Sequence, residues 1–401
     1  MTWDRTLAVM LERVAGPGPA ARSSIAPFHV MDVLAAAEER QRTHGDLISL
    51  GAGQPSAPAP TPVRAAATAA LDTNLLGYTE QLGIPALREA IAGHYLRRHD
   101  LDVSPDDVVV TTGSSGGFML AFLAAFDAGD RVAIGRPGYP AYRNIFTALG
   151  CEVVELPCGP ETRFQPTVAM LDDLDEPVRG LIVASPANPT GTVLEPGELA
   201  ALANWCAAHD TWLISDEIYH GITFGPPVET AWRTSRDAIV INSFSKYWCM
   251  TGWRIGWLLL PAQLRTAVSA LAGNFTICPP TIAQHAAVAA FDPVSYAEAD
   301  TQVQRYRVNR DIILSGLRGL GIDRLAPADG GFYVYADVSH LTPDSMAFCR
   351  TLLAETGVAV APGIDFDPVH GDRFIRMCYA GATADIESAL ARLAKWLSTR
   401  M

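Results

Sequence analysis

The stretch SFSKYWCMTGWRIGW, residues 243–257, sets a lysine at the end of an apolar, strand-like run and surrounds it with aromatic residues. A lone lysine is most often a solvated surface charge. Lys246 instead follows AIVINSFS, a run with no polar alternation, so its amine is headed for an apolar pocket where burial disfavours the ammonium form. A neutral amine there can form an imine with an aldehyde. Eight residues on, Arg254 offers a donor suited to phosphate, and Ser243 and Ser245 add hydroxyls on the same loop.

The neighbourhood repeats the same kind of run. DVVVTTG, DRVAIGRPGYP, CEVVELP, GLIVASPANPTG, TWLISDEIYHG, AIVINSFSK and RIGWLLLP are short, mostly apolar and rich in β-branched residues. Strands that read this way are buried on both faces, as in a helix-covered parallel sheet. Between them lie Ala- and Leu-rich stretches such as SSGGFMLAFLAAFDAGD and GELAALANWCAAHD, with helical spacing and Gly or Asp at their ends. The pattern from about 62 to 290 predicts a layered α/β domain. Beyond it, a long helical region (295–320), GGFYVYADVS, a helix over 345–357, VAVAPG, RFIRMCYA and a closing helix predict a smaller α+β domain. A helix over residues 1–15 and another over 30–42 are expected at the other end. The expected division is 1–60 (an N-terminal arm and part of the small domain), 61–295 (the large domain) and 296–401 (the small domain).

Four further motifs carry candidate chemistry. In SDEIYHG (215–221), Asp216 closes a buried strand, where a carboxylate is costly unless partnered. A pyridinium nitrogen would be such a partner, a helix cap is the plainer alternative, and Tyr219 can reach the same ligand. In ASPANPTGTV (184–193), Asn188 stands in a proline-bounded loop that positions an amide toward a phenolic oxygen or simply turns the chain. TTGSSGGF (111–118) opens a helix with small residues, so backbone N–H groups at its start can approach an anion, or the Gly-Ser pair simply turns the chain from strand to helix. It is neither a G-x-G-x-x-G nor a Walker loop. RPGYPAY (136–142) offers Tyr139 for ring stacking. Arg376, among apolar neighbours in RFIRMCYA, calls for a carboxylate, either a ligand's or an internal one. Tyr78, in LGYTEQLGIPALREAI, lies near a turn.

Composition narrows the partners. The chain has 401 residues, 49% hydrophobic and 18% charged, with a net charge of −13. That excludes disorder and makes nucleic acid and membrane surfaces poor partners, since no basic run is present. The seven cysteines show no zinc spacing and read as buried free thiols. No run reaches the about 18 apolar residues a spanning helix needs, and a cytoplasmic protein is expected.

Taken in order, GQP, GYTEQLGIPALR, TTGSSG, PGYP, NPTG, DEIY, SFSK, TGWRIG, GGFYVYAD and FIRMCYA resemble the class I/II pyridoxal-phosphate aminotransferases of fold type I, from about Ile48 to the C-terminus. Within that family the likeness extends to proteins described as aspartate or alanine–valine aminotransferases. The resemblance implies pyridoxal 5'-phosphate as cofactor and a ping-pong exchange between an amino acid and a 2-oxo acid. Lys246 matches the Schiff-base lysine and proton shuttle, and Asp216 the carboxylate on the ring nitrogen. Tyr219 and Asn188 match the groups at the phenolic oxygen, and Tyr139 the stacking ring. Ser114, Ser115, Ser243 and Arg254 match the phosphate cup, with Ser245 beside them. Arg376 matches the α-carboxylate clamp, with Gly53 contributing backbone. Tyr78 matches a tyrosine that crosses to a neighbouring subunit, which implies a homodimer. The family's usual G-E-P-D-F reads Gly53-Gln54-Pro55-Ser56-Ala57 here, Trp248 and Cys249 are bulky, and 274–280 lies in a variable segment, so the substrate stays open. The same motifs serve pyridoxal-phosphate lyases and synthases, and more remotely a non-catalytic sensor domain. The missing G-x-G-x-x-G weakens a dehydrogenase.

Overall fold

A computed structural model describes residues 18–225 and 227–400. The helix expected over 1–15 lies outside them. Seven strands build the central sheet: β2 (Val108–Thr111), β3 (Arg131–Arg136), β4 (Glu152–Pro157), β5 (Gly180–Ala184), β6 (Trp212–Asp216), β7 (Ile239–Ser243) and β8 (Gly256–Leu259), in the order β2-β8-β7-β6-β5-β3-β4. These are the seven runs read from the sequence. All pairings are parallel except the two made by β8, which runs against both β2 and β7.

The unbroken apolar runs follow from burial on both faces. Along β5, Leu181 and Val183 enter one core and Ile182 the other; Val240 and Ile241 of β7 divide in the same way. One face is covered by the helices Gly113–Ala125, Pro140–Leu149 and Arg265–Phe275, which contribute Phe118, Phe122, Phe146 and Val268. The other is covered by Pro85–His99, Pro196–Ala208 and Thr281–Val288, through Leu87, Ile91, Leu202 and Ala286.

Residues beyond the sheet form a second layer. The long helix Pro293–Gly319 leads to a three-stranded sheet of β9 (Tyr333–Asp337), β11 (Ala361–Pro362) and β12 (Phe374–Cys378), ordered β11-β12-β9. The expected strand VAVAPG is split. Its first half, β10 (Val358–Ala359), pairs in parallel with β1 (Ile48–Ser49), and its second half, β11, pairs antiparallel with β12. One apolar run thus serves two sheets, and the N-terminal segment joins the C-terminal layer through it. The helix expected over 30–42 spans His29–His44 and ends at Gly45 with φ of 70°. Six cysteines are buried, Cys278 is half-buried, and all seven are free. Among the described residues no helix is long and apolar enough to cross a membrane.

The reversed strand β8 is what brings the two ends of the 243–257 stretch together. Gly256, its first residue, sits opposite both Thr111 at the end of β2 and Ser243 at the end of β7. A Cβ at Gly256 would lie 2.7 Å from the Asn242 carbonyl oxygen and 3.0 Å from the Ser114 amide nitrogen. Both are backbone atoms that cannot step aside. Gly256→Ala is therefore expected to cost about 1–3 kcal/mol by overpacking, measured as a lowered denaturation midpoint.

Candidate active site

Parallel strands gather their carboxyl ends along one edge of a sheet, the usual place for a ligand crevice. Here a cleft of about 300 Å³ opens at that edge. Ser114 and Ser115 reach it from beyond β2, Tyr139 from beyond β3, Asn188 from beyond β5, Asp216 from the last position of β6, and Ser245 and Lys246 from beyond β7. Arg254 reaches it from just before β8, which begins at the edge where the others end. The second layer adds Gly53, Tyr333 and Arg376.

The Lys246 amine donates to the Gly53 carbonyl at 2.6 Å. The rings of Tyr219 and Phe332 each stand 5.9 Å from it. No carboxylate among the described residues pairs with it. Burial lowers its pKa to about 8, and Arg376 and Arg254 push in the same direction. Asp216 is buried as well, and burial raises its pKa to about 6. Two hydrogen bonds oppose that rise: the Tyr142 hydroxyl donates to Oδ2, and the Ile218 amide donates to Oδ1 at 3.0 Å. Asp216 therefore caps a turn and still presents a carboxylate to the cleft.

Arg376 is 3% exposed. Its Nη1 donates to Asn188 Oδ1 at 2.9 Å and its Nη2 to the Gly51 carbonyl at 2.7 Å, while Nε has no partner. The guanidinium lies over the rings of Tyr333 and Phe366, at 4.4 and 4.8 Å. The internal carboxylate that a buried arginine calls for is not there among the described residues. Tyr219 and Tyr333 share a hydroxyl–hydroxyl hydrogen bond of 2.7 Å. A Cβ at Gly53 would fall 2.2 Å from the Tyr333 hydroxyl, so that close approach requires glycine.

At the other end of the cleft the first turn of the Gly113–Ala125 helix presents backbone donors beside Ser114, Ser115, Ser245 and Thr251. Gly113 has φ of 66°, and a Cβ there would sit 2.6 Å from Arg254 Nη2. Arg254 Nη1 donates to the Thr251 carbonyl at 2.9 Å.

Two of the residues singled out in the sequence do not line the cleft. Ser243 is fully buried behind it, bonded to Ser245 Oγ at 2.8 Å. Tyr78 is 83% exposed on the surface. Conversely, sequence reasoning passed over Tyr142, Tyr333 and the apolar residues Phe28, Val30, Met31 and Leu34, all of which line the cleft. Tyr142 had a signal, since it follows Tyr139 by three residues at the start of a helix. The others had none beyond ordinary core spacing.

Such a sheet, with its crevice at the carboxyl edge and a second layer folded over it, is the aspartate-aminotransferase-like type I fold of pyridoxal-phosphate transferases. The sequence pattern of the family "Aminotransferase class I and II" matches residues 45–393, and the chain belongs to that family. It is 64% identical to a valine–pyruvate aminotransferase of Mycobacterium tuberculosis, over 98% of this chain and all of the relative. It is 35% identical to an aspartate/prephenate aminotransferase of Thermus thermophilus, over 92% of this chain and 96% of that one. Among solved structures, an aminotransferase from M. tuberculosis superposes with a TM-score of 0.95 at 64% identity, covering 96% of this chain and 100% of that one. The T. thermophilus aspartate aminotransferase with maleate gives 0.90 at 34% identity, covering 95% and 100%. The chain is therefore an enzyme that transfers an amino group between an amino acid and a 2-oxo acid, and the lyase alternative is not favoured.

Tyr142 donates to the ionised form of Asp216, so its loss should raise the carboxyl pKa further. In cofactor-free Tyr142→Phe, the Asp216 protonation midpoint, followed by infrared difference spectroscopy, is expected to move upward from about 6. A midpoint that stays in place would show the hydroxyl to be a bystander.

Proposed function

We propose that the cleft binds pyridoxal 5'-phosphate on Lys246 and that the enzyme exchanges amino groups between neutral, branched amino acids and pyruvate. The observation that carries the cofactor reading is the pairing of demands in one enclosed space: a lysine amine with its pKa lowered to about 8 and a buried carboxylate at the sheet edge. The residues present fit the group. The glycine-lined start of the Gly113–Ala125 helix, against Arg254, is a cradle that a Cβ at 113 would fill. The orphaned Nε of Arg376 leaves a guanidinium donor free for a carboxylate.

In this reading Ser114, Ser115, Ser245 and Arg254, with the helix N-terminus, hold the phosphate, and Ser243 supports Ser245 from behind. Tyr139 stacks on the ring, and Asn188 and Tyr219 bond its phenolic oxygen. Asp216 keeps the ring nitrogen protonated. Bound there, the cofactor supplies an electron sink for the pair left when the substrate's Cα–H bond breaks. Arg376 grips the α-carboxylate, with the Gly53 backbone beside it. The Lys246 amine takes the Cα proton and later returns it, as a general base and then a general acid. In the first half-reaction a 2-oxo acid leaves; in the second another 2-oxo acid accepts the amino group.

The substrate class is supported by the lining. The cationic side chains around the cleft are Arg376, Lys246 and Arg254, each already assigned, while Phe28, Val30, Met31 and Leu34 make one wall apolar. Among the described residues lining the cleft, none is left to balance a second carboxylate. The valine–pyruvate relative points the same way. We further infer a cytoplasmic homodimer divided at 1–60, 61–295 and 296–401, in which Tyr78 completes the neighbouring subunit's phosphate site.

Lys246→Ala is expected to lower turnover at least on the order of 10²–10⁴-fold and to leave no borohydride-trappable adduct. Capture of added aldehyde by the cofactor-free wild type should quicken as pH rises through about 8, where the amine becomes neutral. In half-reactions, valine, leucine or isoleucine should convert the cofactor faster than aspartate; faster aspartate turnover would overturn the substrate assignment. The dimer has its own test. Mixing Tyr78→Phe chains with Lys246→Ala chains should restore activity, because one site of each hybrid would be intact. No restoration would place Tyr78 at its own subunit's site or at none.

A further inference from the structure

Asp365 is a carboxylate with 3% exposure that neither binds the cleft's ligands in the reading above nor makes a close ion pair among the described residues, although the charges of Arg376 and His29 act on it from a distance. Its Oδ1 accepts the His29 amide at 2.8 Å and its Oδ2 the Val30 amide at 2.6 Å. Those amides open the His29–His44 helix, whose own N-cap, Phe28, supplies no side-chain bond. The first amides of a helix have no partners within it, and a negative charge there is favourable. Asp365 therefore acts as a cap supplied from more than three hundred residues away.

The two residues that follow are tied to other walls of the cleft. The Phe366 ring lies 4.8 Å from the Arg376 guanidinium, and its carbonyl accepts the Gly138 amide, next to Tyr139, at 3.0 Å. Asp367 accepts from Arg136 Nη1 at 2.8 Å. Val30 packs with Phe366 in a small separate core, with Phe28 and Leu34 against it. One short segment, 365–367, thus fixes the apolar wall, the carboxylate clamp and the ring-stacking loop relative to each other.

We propose that Asp365 is a specificity-positioning residue: by pinning the start of the His29–His44 helix, it sets the distance between Arg376 and the apolar wall, and so the size of substrate side chain the cleft favours. This rests on the assignment of neutral, branched substrates made above. Without the pin, the wall is free to withdraw while Arg376 stays in place. Branched side chains then lose contact, and short ones, which barely reach the wall, do not.

The test uses holoenzyme and two unreactive carboxylates, 3-methylbutanoate and propanoate, titrated calorimetrically, with kcat/KM for valine and alanine beside them. The wild type should prefer the branched member of each pair. Asp365→Asn keeps the shape but turns a donor toward one of the two amides. It should reduce the branched preference on the order of tenfold while changing propanoate affinity by roughly twofold or less. Equal weakening of both acids, or an unchanged ratio, would overturn the proposal. A wild type without branched preference would overturn the substrate assignment and this proposal together, whereas a wild-type preference kept by Asp365→Asn would overturn this proposal alone. Met31→Ala trims an exposed side chain of the wall and serves if Asp365→Asn does not fold; the branched preference should fall there too, and an unchanged ratio would show that the wall does not read side-chain size.

Discussion

Lys246, Asp216 and Arg376 occupy one enclosed cleft, and among the described residues none of them is joined to an opposite charge by a close ion pair. Burying charge without compensation is expensive. The protein meets part of the demand with neutral groups: the Gly53 carbonyl for Lys246, Tyr142 and the Ile218 amide for Asp216, and Asn188 and the Gly51 carbonyl for Arg376. The residue of that demand appears in the shifted pKa values of Lys246 and Asp216 and in the orphaned Nε of Arg376. A ligand that brings a cation to Asp216, a carboxylate to Arg376 and an aldehyde to Lys246 satisfies all three at once. Groups held short of satisfaction before the ligand arrives need little rearrangement when it does.

The sheet makes that concentration of charge possible. Six strands run in one direction and deliver their ends to one edge, while β8 runs the other way and delivers its beginning there. Lys246 follows β7 and Arg254 precedes β8, so a loop of a few residues spans the distance between the two ends of the cleft. Gly256 lets β8 approach the start of the Gly113–Ala125 helix closely enough for the anion-binding turn and Arg254 to face each other. The same approach leaves no room for a Cβ at Gly113. Two glycines far apart in sequence are thus parts of one construction.

What could be read from the sequence is what a strand or a turn carries on itself. All seven central strands were visible as doubly buried runs, and Lys246, Asp216 and Asn188 stand where those runs or their continuations end, while Arg376 stood out as a charge inside the apolar strand β12 of the second layer. What could not be read depends on contacts through space. Tyr142 and Tyr333 act on Asp216 and Tyr219 across about 70 and about 110 residues of chain; the spacing from Tyr139 hints that Tyr142 faces the cleft but not at its partner, and Tyr333 carries no local mark at all. The splitting of VAVAPG follows from β1 and β12 competing for one run, which neither segment announces alone. Ser243 and Ser245 are alike in the sequence, yet one faces the cleft and the other supports it from behind.

A ping-pong enzyme must hold two different 2-oxo acids in one place. On the reading proposed above, both carry the carboxylate that Arg376 takes, so the clamp is common to the two half-reactions, and discrimination falls to the wall opposite. A wall of methionine, valine, leucine and phenylalanine suits that task, because it gains from contact with an isopropyl group yet offers no polar group that a bare methyl would leave unpaired. Met31, 57% exposed at the cleft, adds a flexible, polarisable side chain that can follow either occupant. A hydrogen-bonding wall would have selected one partner strongly and rejected the other. Apolar discrimination is weak, a tolerance that an enzyme shuttling between a branched and a short substrate requires.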